Sequence, residues 1–238
     1  MAIYTFKSIN STNLHLKQNF NNYKNFDVIS ADHQTNGYGR FKREWIDLGN
    51  ENIFMSICLK FDDFNENILC ITQYTALILA KTFEHFDLKP EIKWPNDILI
   101  NKKKISGILA ESVINNSKIA GIVLGIGINL NSNDNNFKNV NQKVTSLKHE
   151  TQKDINKNEF INLFMGNFKN HYNDLLKQGF KIFKNDYISY LTCLEKEITI
   201  KNRENEYTGI TKGITDNGLI ILNINGTLQE ISAGDIQY

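Results

Sequence analysis

From Lys93 to Leu109 the chain reads KWPNDILINKKKISGIL. Two apolar runs, at residues 98–100 and from residue 105 onward, lie on either side of a lysine-rich polar turn. Such runs predict neighbouring antiparallel strands, because the connection between them is too short for a crossover. A third run, at residues 118–129, extends the predicted sheet.

Further strands and helices are indicated on both sides of this segment. Ser11-Thr12-Asn13 has the residue types of a capped helix start. Short apolar or alternating runs predict strands at residues 3–6, 28–31 and 52–59. Apolar residues at helical spacing predict helices at residues 68–86, 159–176 and 180–191. We expect the helix at 68–86 to lie across the sheet.

The chain changes character after Cys193. Short alternating runs at residues 197–201, 206–214, 218–224 and 227–231 are joined by turns that include Asn225-Gly226. This spacing predicts a small closed β module. We therefore expect two domains, residues 1–192 and 193–238.

Composition excludes several classes of function. The 238 residues carry 27 Lys and Arg against 26 Asp and Glu, so no global field attracts DNA or a membrane surface. The start of the chain has no signal-like apolar segment, which indicates a cytoplasmic protein. Cys58, Cys70 and Cys193 are odd in number and far apart, which indicates buried thiols and not a disulfide framework or a zinc site. The histidine spacing supports no metal site or triad, and no P-loop sequence occurs.

A glycine-containing loop follows the predicted strand at 28–31. Gly37-Tyr38-Gly39-Arg40 alone fits a flexible surface turn as well as a ligand loop. Arg43 and Trp45 favour the ligand loop, because fixed cations suit phosphate oxygens and an indole offers a face to a purine. The loop is therefore predicted to fold over a nucleotide or an acyl phosphate.

Trp94 and Pro95 form a rigid corner before Asn96 and Asp97. Proline disfavours helix at the preceding residue, so the amide and the carboxylate are displayed at the start of a strand. Trp94 as a core residue and Asp97 as a turn cap are the alternative. Lys104, at the start of the next strand, favours a site in which Asp97 orients a metal ion or a donor and Lys104 meets an anion.

Three more polar positions carry predictions of their own. Asn129, after Gly127 at the end of an apolar run, is either a turn former or an amide that reads a purine. Lys102 and Lys103 are predicted to be solvated turn residues.

These motifs, in this order, resemble those of the biotin protein ligases. The resemblance covers nearly the whole chain and rests on the following segments: Ser11-Thr12-Asn13, Gln34 with Gly37-Tyr38-Gly39-Arg40, Arg43 with Trp45, residues 93–97, Lys104 with Gly107-Ile108-Leu109, and Gly125-Ile126-Gly127-Ile128-Asn129. It implies an α+β fold, in which a mixed β-sheet backed by helices, like that of class II aminoacyl-tRNA synthetases, precedes a small SH3-like β-barrel.

The resemblance also implies a two-step reaction. Biotin is activated with Mg-ATP to biotinyl-5′-AMP and pyrophosphate, and a lysine of the biotin carboxyl carrier protein of acetyl-CoA carboxylase then takes the biotinyl group. ATP and Mg²⁺ are the implied cofactors, with no fixed metal site on the protein. The implied assembly is a monomer or a homodimer, since members of the family often pair through sheet edges.

Residue roles follow from the resemblance. Lys104 and Arg40 are the implied catalytic residues. The implied biotin-binding residues are Ser11, Thr12, Asn13, Gln34, Gly37, Tyr38, Gly39, Arg40, Lys104 and Gly107. The implied ATP-binding residues are Arg40, Arg43, Trp45, Asn96, Asp97, Lys104 and Asn129, with Asp97 arranging metal or water.

Two features depart from the family pattern. Some members carry arginine where this chain has Tyr38, which affects how tightly the loop holds the intermediate. Other members carry an N-terminal helix-turn-helix domain, and Ser11 lies too near Met1 to leave room for one, so we expect a short form that does not bind DNA.

Two other functions are compatible with the sequence. The first is a lipoate or octanoate ligase or transferase of related fold. The second is a non-catalytic, biotin-responsive binding module, against which Lys104 and Arg40 argue.

Overall fold

The computed structural model describes residues 1–49, 51–137, 140, 142–202 and 204–237. The chain forms two compact units, each built from two separate segments. The first combines Met1–Phe64 with Lys102–Ile161, and the second combines Asn65–Asn101 with Asn162–Tyr238.

Twelve strands occur in the described ranges. In chain order they are β1 (Ile3–Ile9), β2 (Val28–Gln34), β3 (Ile53–Lys60), β4 (Pro90–Lys93), β5 (Asp97–Ile100), β6 (Lys103–Asn115), β7 (Lys118–Ile128), β8 (Glu197–Lys201), β9 (Glu206–Ile214), β10 (Ile220–Ile224), β11 (Thr227–Ile231) and β12 (Asp235–Gln237).

Five α-helices accompany these strands within the described residues. They are α1 (Thr12–Gln18), α2 (Ile71–Glu84), α3 (Leu147–Thr151), α4 (Lys157–Gln178) and α5 (Lys184–Ser189). In the described part of the chain, none of them combines the length and apolarity needed to cross a membrane.

The first unit holds a mixed sheet in the order β1-β2-β3-β7-β6. β1 and β2 are parallel, and α1 lies in the connection between them. The other neighbours are antiparallel, and β6 and β7 form a hairpin through Asn116 and Ser117, whose φ angles are 48° and 62°. Positive φ at both central positions matches the right-handed twist of the strands. The strands predicted in this part of the chain are confirmed, and so is the antiparallel pairing of β6 with β7.

Helix α1 packs against one face of this sheet. Leu16 and Phe20 form a buried cluster with Ile29, Cys58 and Val123. Gly121 leaves room for the Phe20 ring, which follows the helix in a 3₁₀ segment, because a Cβ at position 121 would lie 2.3 Å from this ring. Glycine at this point of β7 therefore sets how closely the α1 segment approaches the strand.

In the second unit, α2 packs on the β4–β5 hairpin. The sequence predicted a helix at 68–86, and the α-helix begins at Ile71 after a 3₁₀ segment, Glu66–Cys70. Tyr74 is fully buried and packs edge-on against Phe168 and Phe183. An aromatic core therefore holds α2 to the later helical segments of the same unit.

The end of the chain forms an antiparallel sheet in the order β11-β10-β9-β8-β12. The predicted turn at Asn225-Gly226 is confirmed, with φ angles of 52° and 88°. The sequence did not predict β12, which has three residues and is held extended only by its pairing with β8. It also missed β4, where Pro90 and two charged residues leave Ile92 as the one aliphatic side chain.

The α+β class, with a mixed sheet, helices and a small C-terminal β-sheet, is confirmed. The three cysteines are buried and free, as expected. The boundary between residues 192 and 193 stays a prediction.

Candidate functional site

A buried polar cluster lies in the first unit where α1 begins. Ser11 caps the helix, with its Oγ 3.5 Å from the Leu14 N–H. The Thr12 backbone N–H donates to Gln34 Oε1 at 2.7 Å, and the Thr12 hydroxyl lies 3.2 Å from the same oxygen. The predicted residues Ser11, Thr12 and Gln34 are therefore brought together, although 22 positions separate Thr12 from Gln34.

A serine that the sequence interpretation missed extends this cluster. Ser56, fully buried on β3, places its Oγ 2.8 Å from Thr12 Oγ1 and 2.6 Å from Asn13 Oδ1. Asn13 lies against β7 at Gly125, where a Cβ would come within 2.2 Å of Asn13 Oδ1. A side chain at position 125 would therefore displace the amide.

Glu111 on β6 is a second missed residue. Its Oε2 accepts hydrogen bonds from Asn13 Nδ2 and from the Tyr38 hydroxyl, both at 2.9 Å, and its Oε1 accepts from Lys17 Nζ at 3.1 Å. Burial raises the pKa of Glu111, but the hydrogen bonds from Asn13, Lys17 and Tyr38 and the Lys17 charge outweigh burial and leave this pKa below its ordinary value. The carboxylate is therefore ionised near neutral pH.

The glycine-containing loop folds back on itself as a narrow hairpin. Trp45 N–H donates to Gly37 O at 3.0 Å, and Gly39 N–H donates to Arg43 O at 2.7 Å. At its tip, Arg40 and Arg43 lie 5.2 and 5.8 Å from the centroid of the Phe41 ring. The loop thus gathers two cations beside one aromatic ring.

The loop is held in place where it begins and where it ends. At Gly37 a Cβ would come within 2.8 Å of Gln34 Nε2, so this glycine allows the loop to pass close to the buried cluster. The Asp47 carboxylate accepts the Gln34 backbone N–H at 3.1 Å, which ties the far end of the loop to β2. Burial and the hydrogen bond to Glu111 raise the pKa of the Tyr38 phenol, so it remains a donor.

Trp45 lies on a pair of glycines. Gly107 on β6 and Gly127 on β7 are direct partners in the antiparallel ladder. A Cβ would lie 2.7 Å from the Trp45 ring at Gly107 and 2.4 Å from it at Gly127. The two missing side chains create the space that the indole occupies.

Lys104 reaches the same place from the start of β6. Its Nζ lies 5.2 Å from the centroid of the Trp45 ring, within the range of a cation–π contact. Its backbone is held by an N–H bond to Lys143 O and by the bond that its own carbonyl accepts from Thr145 N–H. The predicted catalytic lysine therefore has a fixed backbone and a half-buried side chain beside Trp45 and Gly107.

Asn129, at the end of β7, is buried and donates its side-chain amide to Thr145 O at 3.0 Å. Its backbone carbonyl accepts Leu147 N–H, so this residue shapes the chain that leads into α3. These bonds are those of a turn former. Its ATP-binding role stays a prediction.

The remaining predicted residues belong to the second unit. Asp97 opens β5 and is in register with Lys93 on β4. Trp94 is 1% exposed and donates its Nε1–H to Gly218 O at 3.1 Å, as expected of a core residue. The ATP-binding roles of Asn96 and Asp97 stay predictions.

Strand parity could have identified the two missed residues. Glu111 stands four positions after Gly107 on β6, and side chains at even spacing share one face of a strand. Ser56 is the one hydroxyl-bearing residue of β3. A polar side chain on the face that carries ligand residues was the available signal.

Within the described ranges, His, Cys, Asp and Glu do not gather in threes as a bound metal ion would require. The first unit offers hydroxyls and amides, the carboxylates of Glu111 and Asp47, and the cations Arg40, Arg43 and Lys104.

Two family models match the chain. The Biotin/lipoate A/B protein ligase family matches residues 5–129, which is more than half of the chain, and the Biotin protein ligase C terminal domain matches residues 193–238.

Named relatives agree with these models. The bifunctional ligase/repressor BirA of Bacillus subtilis is 30% identical over 219 residues, which cover 91% of this chain and 67% of that protein. The biotin–acetyl-CoA-carboxylase ligase of Paracoccus denitrificans is 31% identical, over 88% of this chain and 89% of that protein.

Solved structures show the same fold. The biotin protein ligase from Aquifex aeolicus in complex with biotin and ATP aligns with a TM-score of 0.83 at 24% identity, covering 99% of this chain and 97% of that one. From the family models and these relatives, the chain belongs to the Biotin/lipoate A/B protein ligase family, among the biotin protein ligases.

Proposed function

We propose that this chain activates biotin with ATP and transfers the biotinyl group to a lysine of the biotin carboxyl carrier protein of acetyl-CoA carboxylase. The observation that carries the proposal is the arrangement in the first unit, where the glycine-containing loop passes the Thr12–Gln34 cluster at Gly37 and leads to Trp45, which lies beside Lys104. The names of the relatives favour biotin over lipoate as the substrate.

The buried cluster suits the polar end of biotin. The ureido group carries two N–H donors and one carbonyl, and the hydroxyls of Ser11, Thr12 and Ser56 with the amide of Gln34 offer both donors and acceptors. Because the three hydroxyls are buried, an analogue without the ureido group would offer them no ligand partner and would bind weakly.

Lys104 and Arg40 suit the developing negative charge. In the first step a biotin carboxylate oxygen attacks the α-phosphorus of ATP, and the bond to pyrophosphate breaks. In the second step the carrier amine attacks the acyl carbon, and AMP leaves. Neither step needs a covalent enzyme intermediate, so catalysis comes from positioning and from charge stabilisation by fixed cations.

The purine and the phosphates are assigned to the remaining predicted residues. The Trp45 indole offers a flat face for adenine, and Arg43 offers a guanidinium for phosphate oxygens. We assign Mg²⁺ to ATP itself, where it would neutralise phosphate charge, with Asp97 as the candidate residue that orients it. A cytoplasmic location and a monomer or homodimer stay predictions.

The test is incubation of the purified protein with labelled biotin, Mg-ATP and a carrier domain. We expect label on one carrier lysine, and no label when that lysine is replaced by arginine. A parallel ATP–pyrophosphate exchange assay, run with biotin and with lipoate separately, should respond to biotin. Exchange that responds to lipoate alone would contradict the proposal.

A further inference from the structure

Glu111 contacts both halves of the candidate biotin pocket. Its Oε2 accepts from Asn13 at the start of α1 and from Tyr38 in the glycine-containing loop, each at 2.9 Å. These two donors lie 25 positions apart in the sequence and belong to different elements. One carboxylate oxygen therefore joins the helix start to the loop.

The bond to Asn13 also orients the neighbouring hydrogen-bonding groups. The Asn13 Nδ2 group faces Glu111 and Leu109 O, so its Oδ1 faces Ser56 Oγ at 2.6 Å. A carbonyl oxygen only accepts, so Ser56 donates to Asn13. The Ser56 hydroxyl also points to Thr12 Oγ1, 2.8 Å away, and the Thr12 hydroxyl in turn donates to Gln34 Oε1 at 3.2 Å.

We propose that Glu111 is a positioning residue, which holds the Thr12 hydroxyl in place through Asn13 and Ser56 and holds the glycine-containing loop closed through Tyr38. The inference rests on the proposed function, in which Thr12 and Gln34 hold the ureido end of biotin and the loop covers the adenylate.

The two carboxylate oxygens offer a matched comparison. Oε2 accepts hydrogen bonds from the pocket residues Asn13 and Tyr38, whereas Oε1 pairs with Lys17, whose side chain is 41% exposed. An exposed ion pair contributes little. Lys17→Met is therefore the control, and Tyr38→Phe and Glu111→Ala are the test variants, with their double variant.

Two quantities should be measured for each protein. The first is the Kd of biotin without ATP, by calorimetry. The second is the stray labelling of an unrelated lysine-rich protein in the presence of biotin and Mg-ATP, which reports loss of the adenylate from the pocket. Thermal unfolding of each variant identifies any that fail to fold.

We expect Tyr38→Phe to raise stray labelling about two- to tenfold, the range of one hydrogen bond. Glu111→Ala should do the same and should also weaken biotin binding about tenfold. Adding Tyr38→Phe to Glu111→Ala should change nothing further, because the phenol then has no carboxylate to bond. Lys17→Met should stay within about twofold of the parent in both measurements.

Glu111→Gln separates geometry from general destabilisation. The glutamine carbonyl can occupy the Oε2 position and accept from both Asn13 and Tyr38, so this variant should recover most of the biotin affinity. The proposal is overturned if Tyr38→Phe has the same effect in both backgrounds, or if Glu111→Ala lowers only the melting temperature. Because biotin affinity is measured without ATP, these outcomes can be told apart from a failure of the proposed ligase reaction, which would appear as no carrier labelling by the parent protein.

Discussion

At the scale of single residues, the pocket depends on where side chains are absent as much as on where they are present. Gly107 and Gly127 face each other across two strands and leave the space for Trp45, and Lys104 lies beside that ring. The positions of Trp45 and of the Lys104 ammonium group beside it thus depend on space that only glycine leaves free.

Replacing Lys104 by alanine should suppress adenylate formation about 10²- to 10³-fold, the usual cost of removing one fixed donor at a developing charge. Biotin binding should fall much less, because the ureido cluster is untouched. ATP–pyrophosphate exchange and calorimetry measure the two effects. Lys102→Ala, an exposed position with a φ of 61°, is the control, and equal losses in both measurements for Lys104→Ala would count against a catalytic role.

Replacing Gly127 by alanine should displace the Trp45 ring, because the new Cβ would lie 2.4 Å from it. We expect the KM for ATP to rise about tenfold or more and the intrinsic fluorescence of the protein to change. Gly166→Ala, an exposed position in α4 with nothing within 4 Å, should be neutral or slightly stabilising. An unchanged KM at position 127 would remove Trp45 from the ATP site.

Most of the residues that meet in the first unit could be predicted from the sequence, because their motifs are local and distinctive. Glu111 and Ser56 could not be chosen on the same basis, since neither belongs to a distinctive local motif and each strand carries other polar residues as well. Their roles come from strand register, which brings side chains from β3 and β6 over the same helix start.

At the scale of elements, the glycine-containing loop is a narrow hairpin with its cations at the tip. The bonds between Gly37 and Trp45 and between Gly39 and Arg43 hold its two arms together. The proposed function of the loop as a lid therefore depends on the side chains at the tip and on the Tyr38–Glu111 bond at the base.

Arg40→Gly should leave biotin binding near normal and raise the stray labelling of other proteins by about an order of magnitude, because a phosphate contact of the adenylate is lost. Label on bystander lysines, counted by mass spectrometry, is the measurement. Lys42→Gly is the matched control, since Lys42 is exposed and already has a φ of 57°, which glycine adopts without strain. Normal retention of the adenylate by Arg40→Gly would refute the lid role.

Trp94→Phe should destabilise the second unit by about 1 kcal/mol through loss of the buried hydrogen bond to Gly218 O. Gln73 also donates to that carbonyl, at 3.2 Å, so the acceptor stays satisfied and the cost stays modest. Chemical denaturation monitored by circular dichroism measures the change. An unaltered midpoint would show that the indole N–H contributes nothing.

The elements that the sequence did not predict are short strands. β4 and β12 contain one aliphatic residue each beside polar ones, and their extended shape comes from pairing with β5 and β8. A local sequence pattern predicts a strand only where the segment itself has a clear apolar face. These two segments lack such a face and are extended because they pair with neighbouring strands.

At the scale of the whole molecule, each compact unit is built from two distant segments of the chain. Sequence patterns divide a chain in linear order, so they indicated a change at residue 193 but not that residues 65–101 pack with the C-terminal part. The association of distant segments is a tertiary property, set by which faces are apolar and by how they fit.

Stability should fall in acid partly through Glu111. Its pKa is lowered in the folded state relative to its ordinary value of 4.5, so its contribution is fully present above about that pH and is lost as pH falls through the lowered folded value. The difference in unfolding free energy between the parent and Glu111→Gln should therefore be constant near neutral pH and shrink below about pH 4.5. Urea denaturation at several pH values measures it, and a difference that grows in acid would contradict the assignment.

The glycines of β7 have one further consequence. Gly121, Gly125 and Gly127 make this strand poorly able to hold an extended shape alone, and its 11 residues depend on pairing with β3 on one side and β6 on the other. During synthesis β3 emerges long before β7, so the edge of β3 that pairs with β7 is at first without its partner strand. A nascent chain should therefore acquire the ability to hold biotin late, after residue 128 has left the ribosome.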